Sequence, residues 1–537
     1  MSEFDSSTRR SFLLASGSLL VSLAASPVLA QAKVQVTAFM QAVAEASAKD
    51  RSVSAFYQAN GYAPIWTGRG SKDRSRRQAL IKAMDASGNH GLPAYDTNLL
   101  RANLRSVKSE RDLGRIEVEL SKLFLKYATD IQTGILKPSR VDSGIARRVP
   151  LRDRLQTLVS FSKSSPAAFI RQLPPKSPEY VRLMKVKLTM EKLLAKGGWG
   201  ARVAGKKLEP GQSGSNVVAL RNRLIAMGYM RRSASQSFDA NMQKAVQQFQ
   251  LAHGLSPDGV AGSGTLKEVN VEPQTRLGSI LVAMERERWM NMERGKRHVW
   301  VNLTDFTAAI IDNGKVTFKT RSVVGANKSD RRSPEFSDIM EHMVINPTWN
   351  VPRSIAIKEY LPLMQSDPNA AGHLRLYDES GRAVSREGLD FTQYTTEDFP
   401  FDLKQPPSRR NALGLVKFMF PNRYNIYLHD TPAKNLFSRE SRAFSHGCIR
   451  LRDPFDFAYT LLKRQESNPE AFFQARLATG RENVVPLATP IPVHLVYRTA
   501  ITTAKGKIEY RRDVYGRDRK IFAALQNAGV VLRAVQS

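Results

Sequence analysis

The one cysteine in 537 residues, Cys448, stands in Ser445-His446-Gly447-Cys448-Ile449-Arg450-Leu451, and a second histidine, His429, precedes it by nineteen residues. A thiol attacks a carbonyl as its thiolate, and an imidazole within hydrogen-bond reach both lowers the thiol pKa and carries the proton. In an extended segment side chains alternate, so His446, Cys448 and Arg450 are expected on one face. Gly447 lets backbone N–H groups approach a developing oxyanion, and Arg450 offers a planar fork suited to a substrate carboxylate. Spacing does not say which histidine is the base. Two other readings use the same residues: His429, His446 and Cys448 as zinc ligands, with Asp430 as a fourth, or Cys448 as a buried structural thiol beside satisfied histidines. No HExxH-type helix accompanies them, which counts against zinc.

Such residues need strands to hold them, and from Val299 the hydrophobic period is two: Val299, Val301 and Leu303, then Ala308 and Ile310, the turn Asp312-Asn313-Gly314-Lys315, then Val316 and Phe318. After Trp349-Asn350-Val351-Pro352 comes a less regular insertion, residues 353–411, a candidate lid or recognition element. Strands are expected again at Val416–Phe420 and Tyr424–Leu428, with Val493–Tyr497 and Ile508–Tyr510 as a closing hairpin. Tyr427 lies two residues before His429 and so on the same strand face, where it either contacts substrate or packs.

The upstream chain reads as helical. Apolar residues recur at helical spacing in Phe39-Met40-Val43-Ala44 and Leu120-Leu123-Phe124-Tyr127-Ile131, within a mostly helical segment 33–205. A compact unit follows at 208–270, with Val217, Leu220 and Leu224 on one helical face and Ala245, Val246 and Phe249 on another. The connector between them holds Gly200, Gly205 and Lys206, most of a phosphate loop, but Lys207 replaces the Ser or Thr that would hold Mg²⁺.

Composition narrows the classes. A single thiol forms no intrachain disulfide and no Cys-rich zinc or iron–sulfur module, and 42% hydrophobic residues argue against wholesale disorder. Lys and Arg exceed Asp and Glu by 81 to 49, a charge of +32, scattered over all segments without a nucleic-acid recognition motif. At the N-terminus, Thr8-Arg9-Arg10-Ser11-Phe12-Leu13-Leu14 resembles a twin-arginine export signal, with an ordinary Sec signal as the alternative. The apolar run Phe12–Leu23 is too short to span a bilayer. Small residues around Ala30 and Ala32 suit cleavage, so residues 1–32 are expected to be a signal peptide and the mature chain to be periplasmic, with no integral membrane segment.

Taken together, the motifs resemble a known family. Ile426-Tyr427-Leu428-His429-Asp430-Thr431-Pro432 and, after a 16-residue step from His429, Ser445-His446-Gly447-Cys448-Ile449-Arg450-Leu451 look like the signature of the YkuD-type L,D-transpeptidases. Val324-Gly325, Ser333-Pro334-Glu335-Phe336-Ser337 and Asn346–Pro352 resemble the large Gram-negative branch. That branch has an N-terminal scaffold, which Phe56-Tyr57, Tyr62–Trp66, Gly91-Leu92 and Tyr95 resemble, and a small peptidoglycan-binding domain of three helices, which 208–270 resembles. Ser333 stands where Thr is common.

The resemblance implies a multidomain α+β protein: helical scaffold 33–205, peptidoglycan-binding domain 208–270, and a β-rich, sandwich-like catalytic domain 271–537 with 353–411 as a capping insertion. It also implies a periplasmic enzyme without cofactor or metal that cross-links peptidoglycan stem peptides in cell-wall and cell-shape maintenance. Other cell-wall synthesis enzymes are expected as partners, and carbapenems as acylating agents of Cys448. Cys448 attacks the diaminopimelate–D-Ala bond, His429 is the base oriented by the backbone carbonyl of Asp430, and His446 and Gly447 border the oxyanion pocket. Arg450, Tyr427 and Ser445 contact substrate. The same fold also serves L,D-carboxypeptidases and lipoprotein-to-peptidoglycan ligases, and a noncatalytic wall-binding protein is a further alternative.

Overall fold

A computed structural model describes residues 35–532. The proposed signal peptide 1–32 lies outside the described residues, and among those described no helix is long and apolar enough to cross a membrane. The first helices, up to Pro166–Gln172, share one core around Trp66, Leu120, Phe124 and Phe161. Its longest element, Glu110–Thr133, starts on a capping box in which Ser109 and Asp112 bond each other's backbone. Helices Ser215–Ala226, Ala240–Ala252 and Ser263–Val269 form a separate small core around Leu220, Phe249 and Leu266.

The catalytic-type segment is built on strands β1 (Arg297–Asn302), β2 (Thr307–Asp312), β3 (Lys315–Gly325) and β4 (Phe336–Ile345). A second layer, β5 (Trp349–Asn350), β6 (Arg375–Tyr377), β7 (Ala383–Val384) and β8 (Asp402–Gln405), is a four-stranded sheet with its own core around Leu361, Met364, Phe391 and Phe399. This is the insertion, and it is a packed cap rather than a loose loop. The main sheet resumes with β9 (Val416–Met419), β10 (Leu428–His429), β11 (Ala443–Ser445), β12 (Ile449–Leu451) and β13 (Asn483–Val496).

Nine strands pair in the order β11-β3-β12-β10-β9-β4-β13-β1-β2, and β3 also pairs with β2. The sandwich-like layer expected from sequence is therefore one sheet closed on itself, whose inner face carries Val301, Met343, Phe418, Leu428 and Ile449. The expected closing hairpin is placed differently. Val493–Val496 belongs to the long strand β13, paired with β1 and β4, whereas Ile508–Tyr510 (β15) pairs with Ala500–Thr502 (β14).

The boundary near residue 271 is also not a simple linker. Helix Pro273–Trp289 is buried along nearly its whole length and forms a third core with Pro178–Ala195, Arg517–Asn527, β14 and β15. Its last turn holds four consecutive buried charges. Glu285 accepts from the N–H groups of Ile135 and Leu136 at 2.8 and 3.0 Å, and from Arg288 at 2.7 Å. Glu287 is met by Arg294, Ser177 and Arg498, which overcome its burial and hold its carboxyl down to about 2. Arg286 reaches Glu335 and, at 3.1 Å, Asp518. Scaffold, barrel and C-terminal helix are thus joined by compensated buried charges rather than by apolar contact alone.

Glu335 is the hinge of that arrangement because Arg517 also binds it, at 3.3 Å. Removing one partner of a buried pair costs about 3–5 kcal/mol. Glu335→Gln is expected to lower unfolding stability by about that amount in denaturant titration, and a change within about 0.5 kcal/mol, as for an exposed site, would contradict this role.

Candidate active site

Register sets the first three groups. In the β9–β10–β12 stretch, His429 lies opposite Lys417 on one side and Arg450 on the other, while the alternate residues Leu428, Phe418 and Ile449 face the core. Lys417, His429 and Arg450 therefore form a row on one face of the sheet. Arg450 is largely buried, its Nε has no hydrogen-bond partner, and among the described residues no ion pair reaches its guanidinium. Burial lowers its pKa and that of Lys417; the Cys448 sulfur opposes this for Arg450, and Glu482 does so for Lys417.

The expectation that His446, Cys448 and Arg450 share one strand face does not hold. β11 ends at Ser445 and β12 begins at Ile449, and Gly447 between them has φ +113°. β11 runs parallel to β3 and β12 antiparallel to it, so residues 446–448 form a turn between two partners of the same strand. Only glycine takes that φ without strain, and a Cβ there would sit 3.0 Å from Ile426 Cδ1. Ser333 Oγ donates to the Gly447 carbonyl at 2.6 Å and accepts from Gly325 N–H at 2.9 Å, fixing the turn. Among the described residues, no group takes a hydrogen bond from the N–H of His446, Gly447 or Cys448.

Cys448 is half-buried and donates its thiol proton to the Asn425 carbonyl at 3.3 Å. Asn425 holds a left-handed φ of 51°, which short polar Asn tolerates. Burial pushes the Cys448 thiol up to about 11, against the opposing pull of Tyr427 and Arg450. Tyr427 has its hydroxyl at the sulfur and its ring edge-on to His429, with centroids 5.7 Å apart, and it packs between the barrel core and the cap core. His429 is buried, and burial together with Arg450 drives its pKa down to about 3; the carbonyls of Asp430 and Leu413 favour its charged form but do not prevail. Its Nδ1 makes no hydrogen bond of good geometry. Thiol and imidazole thus each rest neutral, not as thiolate and imidazolium, and among the described residues no hydrogen bond joins Cys448 to His429.

The remaining sequence candidates have other partners. The Asp430 carboxylate is taken by Lys434 at 2.6 Å and by Leu415 N–H at 2.9 Å, leaving only its backbone carbonyl for His429. Ser445 is buried in the β11–β3 pairing, a packing position rather than the substrate contact expected. His446 Nε2 bonds Glu359 Oε1 of the cap at 2.7 Å, and Arg331 bonds the same oxygen at 2.5 Å. Among the described residues no three His, Cys, Asp or Glu side chains gather to hold a metal ion. Sequence reasoning missed Lys417, Glu359 and Arg331. Lys417 could have been found by aligning the alternation of β9 with that of β10; the other two become visible only when the cap is folded over the turn.

Because the sulfur starts as a thiol near 11, its thiolate fraction falls about tenfold per pH unit below that. Alkylation of Cys448 by iodoacetamide should climb through pH 8–10 without an inflection near 6.5, and Tyr427→Phe, which removes the hydroxyl at the sulfur, should shift the rise to higher pH. A rate that is already flat by about pH 8 would contradict the neutral resting pair.

Three family profiles match the chain: a scaffold domain over residues 51–186, a peptidoglycan binding domain over 213–268 and an L,D-transpeptidase catalytic domain over 296–484. A curated Haemophilus influenzae protein that carries the name of an L,D-transpeptidase is 31% identical over 274 residues, 51% of this chain and 53% of that protein. The chain thus spans about half the length of that relative. Solved L,D-transpeptidases from Xylanimonas cellulosilytica and Stackebrandtia nassauensis share 16% and 15% identity, over 55% of this chain and 98% and 97% of theirs, with TM-scores of 0.16 and 0.22. Likeness that low leaves the chemistry to be read from this chain's own residues.

Proposed function

We propose that this chain, whose residues 296–484 belong to the L,D-transpeptidase catalytic domain family, is a cysteine-dependent peptidoglycan cross-linking enzyme of the periplasm. The observation that carries the reading is the turn 446–448. It carries the one thiol, which Tyr427 links to the buried His429 ring, and leaves a set of N–H groups unengaged, an arrangement suited to acyl transfer through a thioester.

In the first step the Cys448 proton passes to neutral His429 as sulfur attacks the carbonyl between diaminopimelate and D-Ala. The neutral start means that the proton leaves in concert with the attack rather than beforehand. The N–H groups of the 446–448 turn receive the oxyanion, and His429 returns the proton to the departing D-Ala amine. Arg450, buried and without an ion-pair partner, is suited to a stem carboxylate, since an unpaired buried cation is stabilised by an incoming anion. Lys417 adds to that field. In the second step the side-chain amine of a neighbouring stem attacks the thioester, forming the cross-link and freeing Cys448. The 208–270 unit would hold the enzyme on the wall, and the +32 charge favours an anionic envelope.

With purified disaccharide-tetrapeptide, Cys448→Ala is expected to abolish D-Ala release and dimer formation. His429→Ala should lower D-Ala release by roughly 10²–10⁴, and His446→Ala by a smaller factor. Dimer formation by Cys448→Ala would refute the reading, and hydrolysed tripeptide as the only product would make the protein a carboxypeptidase.

A further inference from the structure

The two histidines stand in opposite electrostatic surroundings. His429 lies between Lys417 and Arg450, a place that repels a cation. His446 is bonded to a carboxylate brought by the cap, Glu359, on the π-helical turn Ala356–Tyr360; such turns recur at functional sites. Arg331, on the segment between β3 and β4, binds the same Oε1. Oε2 receives no hydrogen bond or ion pair from the described residues, and the pair is open to solvent, with side chains 34% and 32% exposed for Glu359 and His446. Lys358 and Tyr360 flank Glu359 in the chain, so Arg331 and His446 are the charged or titratable groups bonded to it.

A carboxylate only accepts hydrogen bonds, so His446 Nε2 carries its proton toward Glu359 and Nδ1 keeps the basic lone pair. A carboxylate bonded to the far nitrogen fixes the ring and stabilises the imidazolium formed when Nδ1 takes a proton. The second half-reaction needs such a group. Its nucleophile is a primary amine that is protonated at neutral pH, with an ordinary pKa of about 10, whereas the first half-reaction needs none there.

On the transpeptidase reading above, we infer that Glu359 and His446 form the acceptor subsite, Oε2 binding the primary ammonium of the acceptor stem and His446 Nδ1 removing its proton. The ammonium gives one proton to Nδ1, and its lone pair attacks the thioester carbonyl. The C–N bond forms, the C–S bond breaks with its electron pair going to sulfur, and a second amine proton passes to Cys448 through His429. The products are an amide, a thiol and one proton released from His446 to solvent. The cap then does more than cover the site, since it supplies half of the apparatus that selects an amine over water.

The test is the product ratio of the full-length protein with disaccharide-tetrapeptide as both donor and acceptor. Glu359→Gln should lower the ratio of cross-linked dimer to hydrolysed tripeptide at pH 7 by about tenfold, less than the roughly 10²–10⁴ of a lost general base because His446 itself remains. The ratio should recover toward pH 10, where the amine is already unprotonated, and Glu359→Asp should retain part of it. If Glu359→Gln and Glu359→Ala keep the wild-type ratio, or if D-Ala release and dimer fall together with the ratio unchanged at every pH, the inference is wrong and Glu359 only pins the cap. A wild-type protein that releases D-Ala but makes no dimer overturns the transpeptidase reading itself; that outcome is told apart because it appears without any substitution.

Discussion

The carboxylate of Glu335, buried between Arg286 and Arg517, is the contact on which the active site's shape depends. Two residues before it, Ser333 holds the Gly447 carbonyl and the Gly325 N–H, and its own carbonyl accepts from Arg517 at 3.0 Å. The segment that neutralises the central helix therefore also fixes the turn that presents Cys448. Arg286 belongs to the helix that meets the N-terminal core through Glu285, and Arg517 opens the C-terminal helix. Distant parts of the chain thus converge on one buried charge cluster, and a break there leaves guanidiniums without partners in a medium of low dielectric.

That rigidity suits the chemistry. Cys448 and His429, proposed above as the reacting groups, both rest neutral, the thiol and the imidazole being displaced in opposite directions by burial. A preformed thiolate would gain nucleophilic readiness at the cost of constant exposure to oxidants. In the mechanism proposed above, neutral groups would hold reactivity back until a carbonyl is in place, and fixed N–H donors and nearby cations would then stabilise charge as it develops. Gly447 matters for that reason: its left-handed backbone lets one strand, β3, take partners on both sides of a three-residue turn.

What the sequence makes legible is local. The alternating apolar residues from Val299 onward and the Asn313-Gly314 turn follow from rules of short range, and the structure contains the β2–β3 hairpin and the three small helices, and sets Ile449, next to Cys448, opposite Leu428, next to His429. What is not legible depends on contacts remote in the chain. Closure of the sheet rests on β3 pairing with β2 as well as with β11 and β12, which no single-segment pattern reports. The buried run Glu285-Arg286-Glu287-Arg288 would read as a solvated helix face, because the partners that compensate Arg286 within the core lie 49 residues away at Glu335 and 232 away at Asp518. The period-two reading of 446–450 does not hold at one glycine, and Glu359 meets His446 only through tertiary folding of the cap.

In the mechanism proposed above, Cys448 carries the substrate as a thioester. Intact-mass and peptide-mass measurement after quenching the protein with donor tetrapeptide in the absence of acceptor addresses it most directly. The expected result is an adduct of the donor minus D-Ala, confined to the peptide that contains Cys448 and removed by hydroxylamine. Turnover of the donor with no covalent adduct, or with an adduct on another residue, would contradict it.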